Sequence, residues 1–456
     1  MESDTDTPVS LLRCEHRVPN ARKYVPSRSR RYGDAPDYGQ SPIDFPRHTR
    51  TIAAMTPTTP SPSLGDRSLF SKLRPVAYLN HAAVSPLSDP VLTTLTTVAT
   101  SYAQRGLHAI GHWIEDRETL REELCQFIGA AQGTIGFVAN TTSGVSAIAQ
   151  CFPWQAGDRV VLFQGEFPAN VTPWQRACEL HQLRPTFLPL TDFSLPGGAD
   201  LSALELNLKR GGVKLVATSA VQFQTGLRMP LAALSKLCHR HGAQLFVDGI
   251  QAVGMVDMDV ERLGIDYLAC GSHKWLMAPE GCAFLYAAPH RRPHLRPVTA
   301  GWLSHGPGGL DFLFRGEGML RYDRGFKPDM SFIEGGAPNT LGLAGLRTAL
   351  GLIRAFPSGA IFAHATSYLD RLEAALVTRG FESLRTADQA RRSGILSTKP
   401  PGHTDTLAAA AALNAAGISV STPDGHLRFA PHWPNHEAEI ASILDAVDAH
   451  LEQASA

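Results

Sequence analysis

Between residues 158 and 287 the sequence repeats one alternation, a short run of β-branched and large apolar residues followed by a stretch long enough for a helix. The runs are DRVVLF (158–163), VKLVATSA (213–220), QLFVDG (244–249), DYLACG (266–271) and CAFLYA (282–287), and LAALSKLCHRHG (231–242) is one of the connecting segments. Helix-length connections return the chain to the same edge, so successive strands pair in parallel. An α/β fold follows, with a mainly parallel sheet covered by helices on both faces.

From about residue 345 the pattern changes. A helix over 344–356 ending before Pro357 and another over 360–379 precede SGILST (393–398), then the helix DTLAAAAALNAAG (405–417), ISVS, HLRFAP (426–431) and a last helix from about 436. This predicts a smaller C-terminal α+β domain over 341–456 behind a large domain over 67–340. Residues 1–66 are rich in Pro, Ser and Arg, as in RKYVPSRSRRYGDAPDYGQ and TPTTPSPS, and carry no sustained apolar period. Such a segment cannot offset its ordering entropy and reads as a disordered tail, with Met55 an alternative start. There is no internal repeat.

The 42 basic residues balance 42 acidic ones at zero net charge, so nothing in the overall charge favours nucleic acid or an anionic membrane, and a small molecule is the expected partner. No apolar run reaches membrane-spanning length; the alanines at 408–412 lie within one short amphipathic helix. The first thirty residues lack a secretory apolar core, and Glu2, Asp4 and Asp6 argue against a transit peptide, which leaves a cytoplasmic location as the expectation. Cys14, Cys125, Cys151, Cys178, Cys238, Cys270 and Cys282 are scattered, odd in number and without CxxC spacing, and read as reduced thiols.

In an open α/β sheet the working residues stand at the carboxyl ends of strands. Asp248 ends QLFV, with Gln251 three residues on; Lys274 follows DYLACG; Thr141 and Thr142 follow IGFVAN and open the helix-like TTSGVSAIAQ. Taken singly these are a helix cap, a surface charge and an N-cap pair. Together they match what pyridoxal 5'-phosphate (PLP) needs: a lysine for the Schiff base, an acid for the pyridinium proton and a helix N-terminus with hydroxyls for the phosphate.

Seven motifs carry a family resemblance: YLNHAAVSPLS (78–88), NTTSGVSAIAQ (140–150), GEFPANVTPW (165–174), VDGIQAVG (247–254), GSHKWLMAPEG (271–281), FIEGGAPNTLGLAGLRTAL (332–350) and LRFAPHWPN (427–435). In this order they resemble the class V aminotransferase family of PLP fold type I, related to cysteine desulfurases and isopenicillin N epimerase. The resemblance implies that Lys274 carries the cofactor and serves as base, that Asp248 pairs with the ring nitrogen and that Gln251 donates to the phenolic oxygen. It places Thr141, Thr142, Ser272 and His273 at the phosphate, Phe167 on the ring face, Arg428 at the substrate carboxylate, and Asn80 and His81 in the substrate pocket. It also implies a homodimer with Gly335 and Gly336 near the partner's phosphate, and an amino acid or related amine as substrate.

Three departures from that pattern matter. No cysteine follows Cys282, and STPDGH (421–426) stands where desulfurases carry their nucleophilic cysteine, which argues against persulfide chemistry. Ala337 replaces the threonine of GGTPN, and Gly271 a phosphate-binding serine. Transamination is the expected reaction, with epimerisation or β-elimination (carbon–sulfur lyase) chemistry as alternatives that share the same Cα carbanion, and a non-catalytic scaffold as the reading from another class. A metal site at His426, His432 and His436 fits no zinc spacing, so no metal is expected; a dinucleotide enzyme lacks its GxGxxG.

Overall fold

The structure, a computed structural model, describes residues 61–190, 193, 199–306, 310–314, 317–402 and 404–455. The tail expected for residues 1–66 lies outside these up to residue 60. From there the chain is docked, because the Gly65 N–H donates to Trp433 O at 2.7 Å.

The expected runs form strands. Seven lie side by side in the order Ile135–Val138, Ala283–Ala287, Tyr267–Gly271, Gln244–Asp248, Val213–Ser219, Arg159–Phe163 and Arg184–Leu188. Ala283–Ala287 pairs antiparallel with both neighbours, and every other pairing is parallel. The runs are apolar throughout because both sheet faces are covered. Val161, Val247 and Leu268 point into one core, while Val160, Phe246 and Ala269 point into another. On the second face helix Thr141–Cys151 lies close to the sheet; a Cβ on Gly144 would stand 2.7 Å from the Ala269 Cβ, so only glycine permits the approach.

A third core sits under the antiparallel strands Leu427–Phe429, Leu396–Lys399 and Glu382–Ser383, with helices Ala360–Val377, Thr406–Ala415 and Glu439–Ser455. Its membership is not sequential. Ala77 and Leu79 belong to it, since the short strand Ala77–Tyr78 pairs in parallel with Ile418–Ser419 and Asn80 bridges to Ala430. Conversely, helix Thr340–Arg354 buries Leu343, Leu346, Leu350 and Ile353 in the first core. The boundary expected at 340/341 is therefore not where packing changes; the apolar stripe of that helix faces the large sheet, alongside helices Asp89–Arg105 and Ile110–Phe127 that no sequence signal above had assigned. No described helix is long and apolar enough to cross a membrane.

Candidate active site

Six strands run in one direction and end at one edge of the large sheet, and loops that follow them bring the chemistry together. After Ile135–Val138, the Asn140 side chain accepts from the Ser143 N–H at 2.8 Å and caps helix Thr141–Cys151. Thr141 is buried, and its hydroxyl oxygen accepts from the Gly271 N–H at 2.9 Å, which ties the helix start to the loop that carries Lys274. Thr142 is exposed. The unpaired first-turn N–H groups of a helix and its positive dipole end suit a phosphate.

Lys274 is half-buried, its Nζ 5.5 Å from the centroid of the Phe167 ring. Burial pushes its amine down to about 8, the Arg428 charge adds to the fall, and Asp248 opposes it. Asp248, 2% exposed, moves the other way. Burial pushes its carboxyl up to about 7 against the pull of the Ile250 N–H at 2.9 Å and of Lys274, and Glu166 adds to the rise. A lysine that is partly neutral near pH 8 is a nucleophile and a base; a carboxyl that keeps its proton this high is an acid without a cation of its own.

Arg428 faces the same crevice from the strand Leu427–Phe429. It is 4% exposed, yet Nη1 donates only to Phe223 O (3.0 Å), Nη2 to Ser421 Oγ (3.2 Å), and Nε has no partner. No carboxylate pairs with it among the described residues, and burial pushes it down to about 10. An unpaired buried cation is costly, so the site is incomplete until an anion arrives. Phe223 also packs edge-on against Phe167, with centroids 5.2 Å apart.

The remaining expected residues divide. Gln251 is buried and held at both ends, Nε2 donating to Ala82 O at 3.0 Å and Oε1 accepting from Trp275 Nε1 at 2.8 Å, which leaves one amide N–H uncommitted. His273 is half-buried, and its ring lies with the Thr141 hydroxyl around the point where a Gly271 Cβ would stand, at 3.4 Å and 3.1 Å. That crowding accounts for glycine at 271. The Asn80 side-chain oxygen is buried without a partner, on a segment bridged to Ala430, two residues beyond Arg428.

Ser272 does not belong to the phosphate set. It is 0% exposed, and its single hydroxyl proton is committed inward to Cys282 O (2.6 Å) or Pro279 O (2.8 Å), closing the loop behind Lys274. His81 is corrected as well. At 1% exposure it is enclosed by Tyr78 and His432 and does not line an open pocket. Its Nδ1 lies 2.7 Å from Ser85 Oγ, which must donate its only proton to Lys274 O at 2.6 Å, so the imidazole donates to the serine. With the Ser85 N–H on His273 O at 2.7 Å, this serine clamps the lysine backbone, a role that nothing in YLNHAAVSPLS announces.

The histidine metal site fails on geometry. His432 uses both ring nitrogens, Nε2 donating to Trp275 O (2.9 Å) and Nδ1 accepting from the Trp433 N–H (2.8 Å). His436 Nδ1 accepts from the Ala438 N–H at 3.0 Å. A cavity of about 580 Å³ lies elsewhere, against Thr142, Ser143 and Gly335–Gly336, and neither Lys274 nor Arg428 lines it.

Pyridoxal phosphate requires an amine that is neutral within reach of neutral pH, a buried acid for the pyridine nitrogen and a flat ring to lie against. Lys274, Asp248 and Phe167 supply these, so the residues present fit the group. Fold and site together define a PLP-dependent enzyme of the fold type I class.

The sequence pattern of the family Aminotransferase class-V matches residues 77–433, and the chain belongs to that family. It is 28% identical over 341 residues to isopenicillin N epimerase of Streptomyces clavuligerus, covering 72% of this chain and 83% of that protein. To the cysteine desulfurase of Dickeya dadantii it is 31% identical over 304 residues, 64% of this chain and 69% of that one. Among solved structures, C-DES with glycine covalently linked to its PLP cofactor matches with TM-score 0.77 at 23% identity, over 84% of this chain and 99% of that one. The apo cysteine desulfurase of Thermococcus onnurineus matches with TM-score 0.73 at 24% identity, over 83% and 95%.

Proposed function

We propose that this PLP enzyme takes an α-amino acid, holds its carboxylate on Arg428 and moves its Cα proton with Lys274 as the one base, giving transamination. The observation that carries the reading is the Arg428 guanidinium, 4% exposed, unpaired at Nε and close enough to Lys274 to depress its amine. A planar fork of donors suits a carboxylate, and such a pair is a charge-assisted one. When bound, the cofactor supplies the electron sink that makes the Cα proton acidic.

The chain's own groups then divide the labour. Asp248 would hold a proton at the ring nitrogen, the Lys274 amine would take the Cα proton and release it at a second carbon on the same face, and Phe167, braced edge-on by Phe223, would give the ring a flat surface. The ring over the amine is a phenyl, which exchanges no proton. The charged or thiol groups acting on Lys274 are Asp248, Arg428 and Cys270, and the last is buried with its thiol pushed far up. With Lys274 the base candidate among the described residues, proton transfer on one face is favoured over the two-base inversion of an epimerase. β-Elimination from the same carbanion requires a substrate with a leaving group, and no cysteine beyond Cys282 is present to accept sulfur.

The test is an absorption titration of the PLP-loaded protein with a panel of amino acids. Loss of the visible band, restored by a 2-oxo acid, supports transamination. Pyruvate or ammonia release without band conversion makes the enzyme a lyase, and racemised substrate makes it an epimerase. A protein that takes up no PLP overturns the reading.

A further inference from the structure

Glu166 is a buried carboxylate, 7% exposed, with no cationic partner among the described residues. Neutral donors surround it instead. Oε1 accepts from the Ser219 N–H (2.7 Å) and Gln222 Nε2 (2.9 Å); Oε2 accepts from Ser219 Oγ (2.5 Å) and Asn170 Nδ2 (3.2 Å). The Thr218 hydroxyl divides its proton between Oε1 and Ser219 O, each at 3.2 Å. A carboxylate whose oxygens are this fully occupied by protein donors rigidifies whatever carries those donors.

Those donors sit on the elements that build the site. Phe167, the next residue, stands over the Lys274 amine. Ser219 is the register partner of Asp248, and the Ala220 N–H donates to Asp248 O at 2.8 Å. Gln222 precedes Phe223, whose carbonyl holds Arg428 Nη1 and whose ring meets Phe167. One carboxylate thus connects the aromatic face, the acid strand and the anchor of the unpaired arginine.

We propose that Glu166 is the positioning residue of this site, coupling the cofactor-facing half to the half that holds the substrate carboxylate. It rests on the roles given above to Lys274, Asp248 and Arg428. Glu166 touches no reacting atom in this assignment; it acts through Phe167, Phe223 and its charge beside Asp248. Burial is the main reason the Asp248 carboxyl is raised; of the charged groups acting on it, Lys274 opposes the rise and Glu166 adds a smaller part to it.

Glu166→Gln keeps the volume and removes the charge, and Glu166→Asp keeps the charge and shortens the reach. In the cofactor-free protein the Asp248 carboxyl, followed by difference infrared spectroscopy against Asp248→Asn, should titrate at lower pH in Glu166→Gln and near the wild-type midpoint in Glu166→Asp. In the loaded enzyme both variants should raise KM for the amino acid by about tenfold, with kcat changed less. Glu166→Gln with wild-type midpoint and wild-type KM overturns the proposal. The infrared arm needs no cofactor. A wild-type protein that fails to take PLP therefore removes the proposed function, while a shifted Asp248 midpoint in Glu166→Gln still reports on the coupling.

Discussion

The two ends of the large sheet treat buried charge in opposite ways. Where strands Gln244–Asp248 and Tyr267–Gly271 begin, Asp266 is 1% exposed and accepts from Arg291 Nε (2.7 Å), His239 Nε2 (2.8 Å) and the Leu245 N–H (2.7 Å). Where the same strands finish, Asp248 is as buried but takes one backbone donor, Lys274 keeps a depressed amine, and Arg428 has no carboxylate. Charge that the fold closes upon itself is structural. Charge left open at a site built to hold it marks where a ligand completes the protein.

The comparison breaks most completely at Lys274. Lys274→Ala should lose turnover and the visible cofactor band entirely while far-UV circular dichroism stays native; residual turnover at the wild-type level removes the proposed role. At the closed end, Arg291→Ala should lower unfolding stability by about 3 kcal/mol by leaving Asp266 short of its cation, with activity per folded molecule unchanged. A denaturant titration checks it, and an unaffected midpoint would mean that the end is not charge-closed. Arg428→Ala should do the reverse, raising KM for carboxylated substrates by roughly tenfold to a hundredfold at little cost in stability. Equal KM values in the variant and wild type would put the carboxylate elsewhere.

A fourth way to break it is in pH. The Asp248 carboxyl is raised from 3.8 to about 7 in the folded state. Its folded form binds the extra proton, so its contribution to stability is full below pH 3.8 and is lost as pH rises to about 7. Thermal midpoints of cofactor-free protein across that window should fall with pH less steeply in Asp248→Asn than in wild type. Parallel slopes would show that Asp248 is not the buried acid described here.

Legibility in the sequence followed locality. The strands were readable because runs such as RVVLF and QLFVD are apolar on both faces, which only a covered sheet accommodates. Asp248 and Lys274 stood out as candidates because a charged residue at or just after the end of an apolar strand points to the crevice there. Ser272 was not, since its hydroxyl turns inward to a carbonyl ten residues away along the chain. Glu166 sat unmarked within GEFPAN because donors such as Ser219 and Gln222 lie 53 and 56 residues further on. His81 was assigned to the pocket from its motif, and only packing against Tyr78 and His432 moves it behind the lysine loop.

By itself the sequence determined the mainly parallel sheet and the family, and it singled out a candidate amine and a candidate acid, because periodicity and residue type act over a few neighbours. Tertiary structure decided which polar groups are used up and which are left over. Parallel pairing of Ala77–Tyr78 with Ile418–Ser419 brings Asn80 next to the strand of Arg428 from the far end of the chain. Convergence of distant loops on Glu166 and Arg428 then satisfies one buried charge and leaves the other open. Hydrogen-bond satisfaction is a property of surroundings, and a residue's surroundings are settled only when the chain is folded.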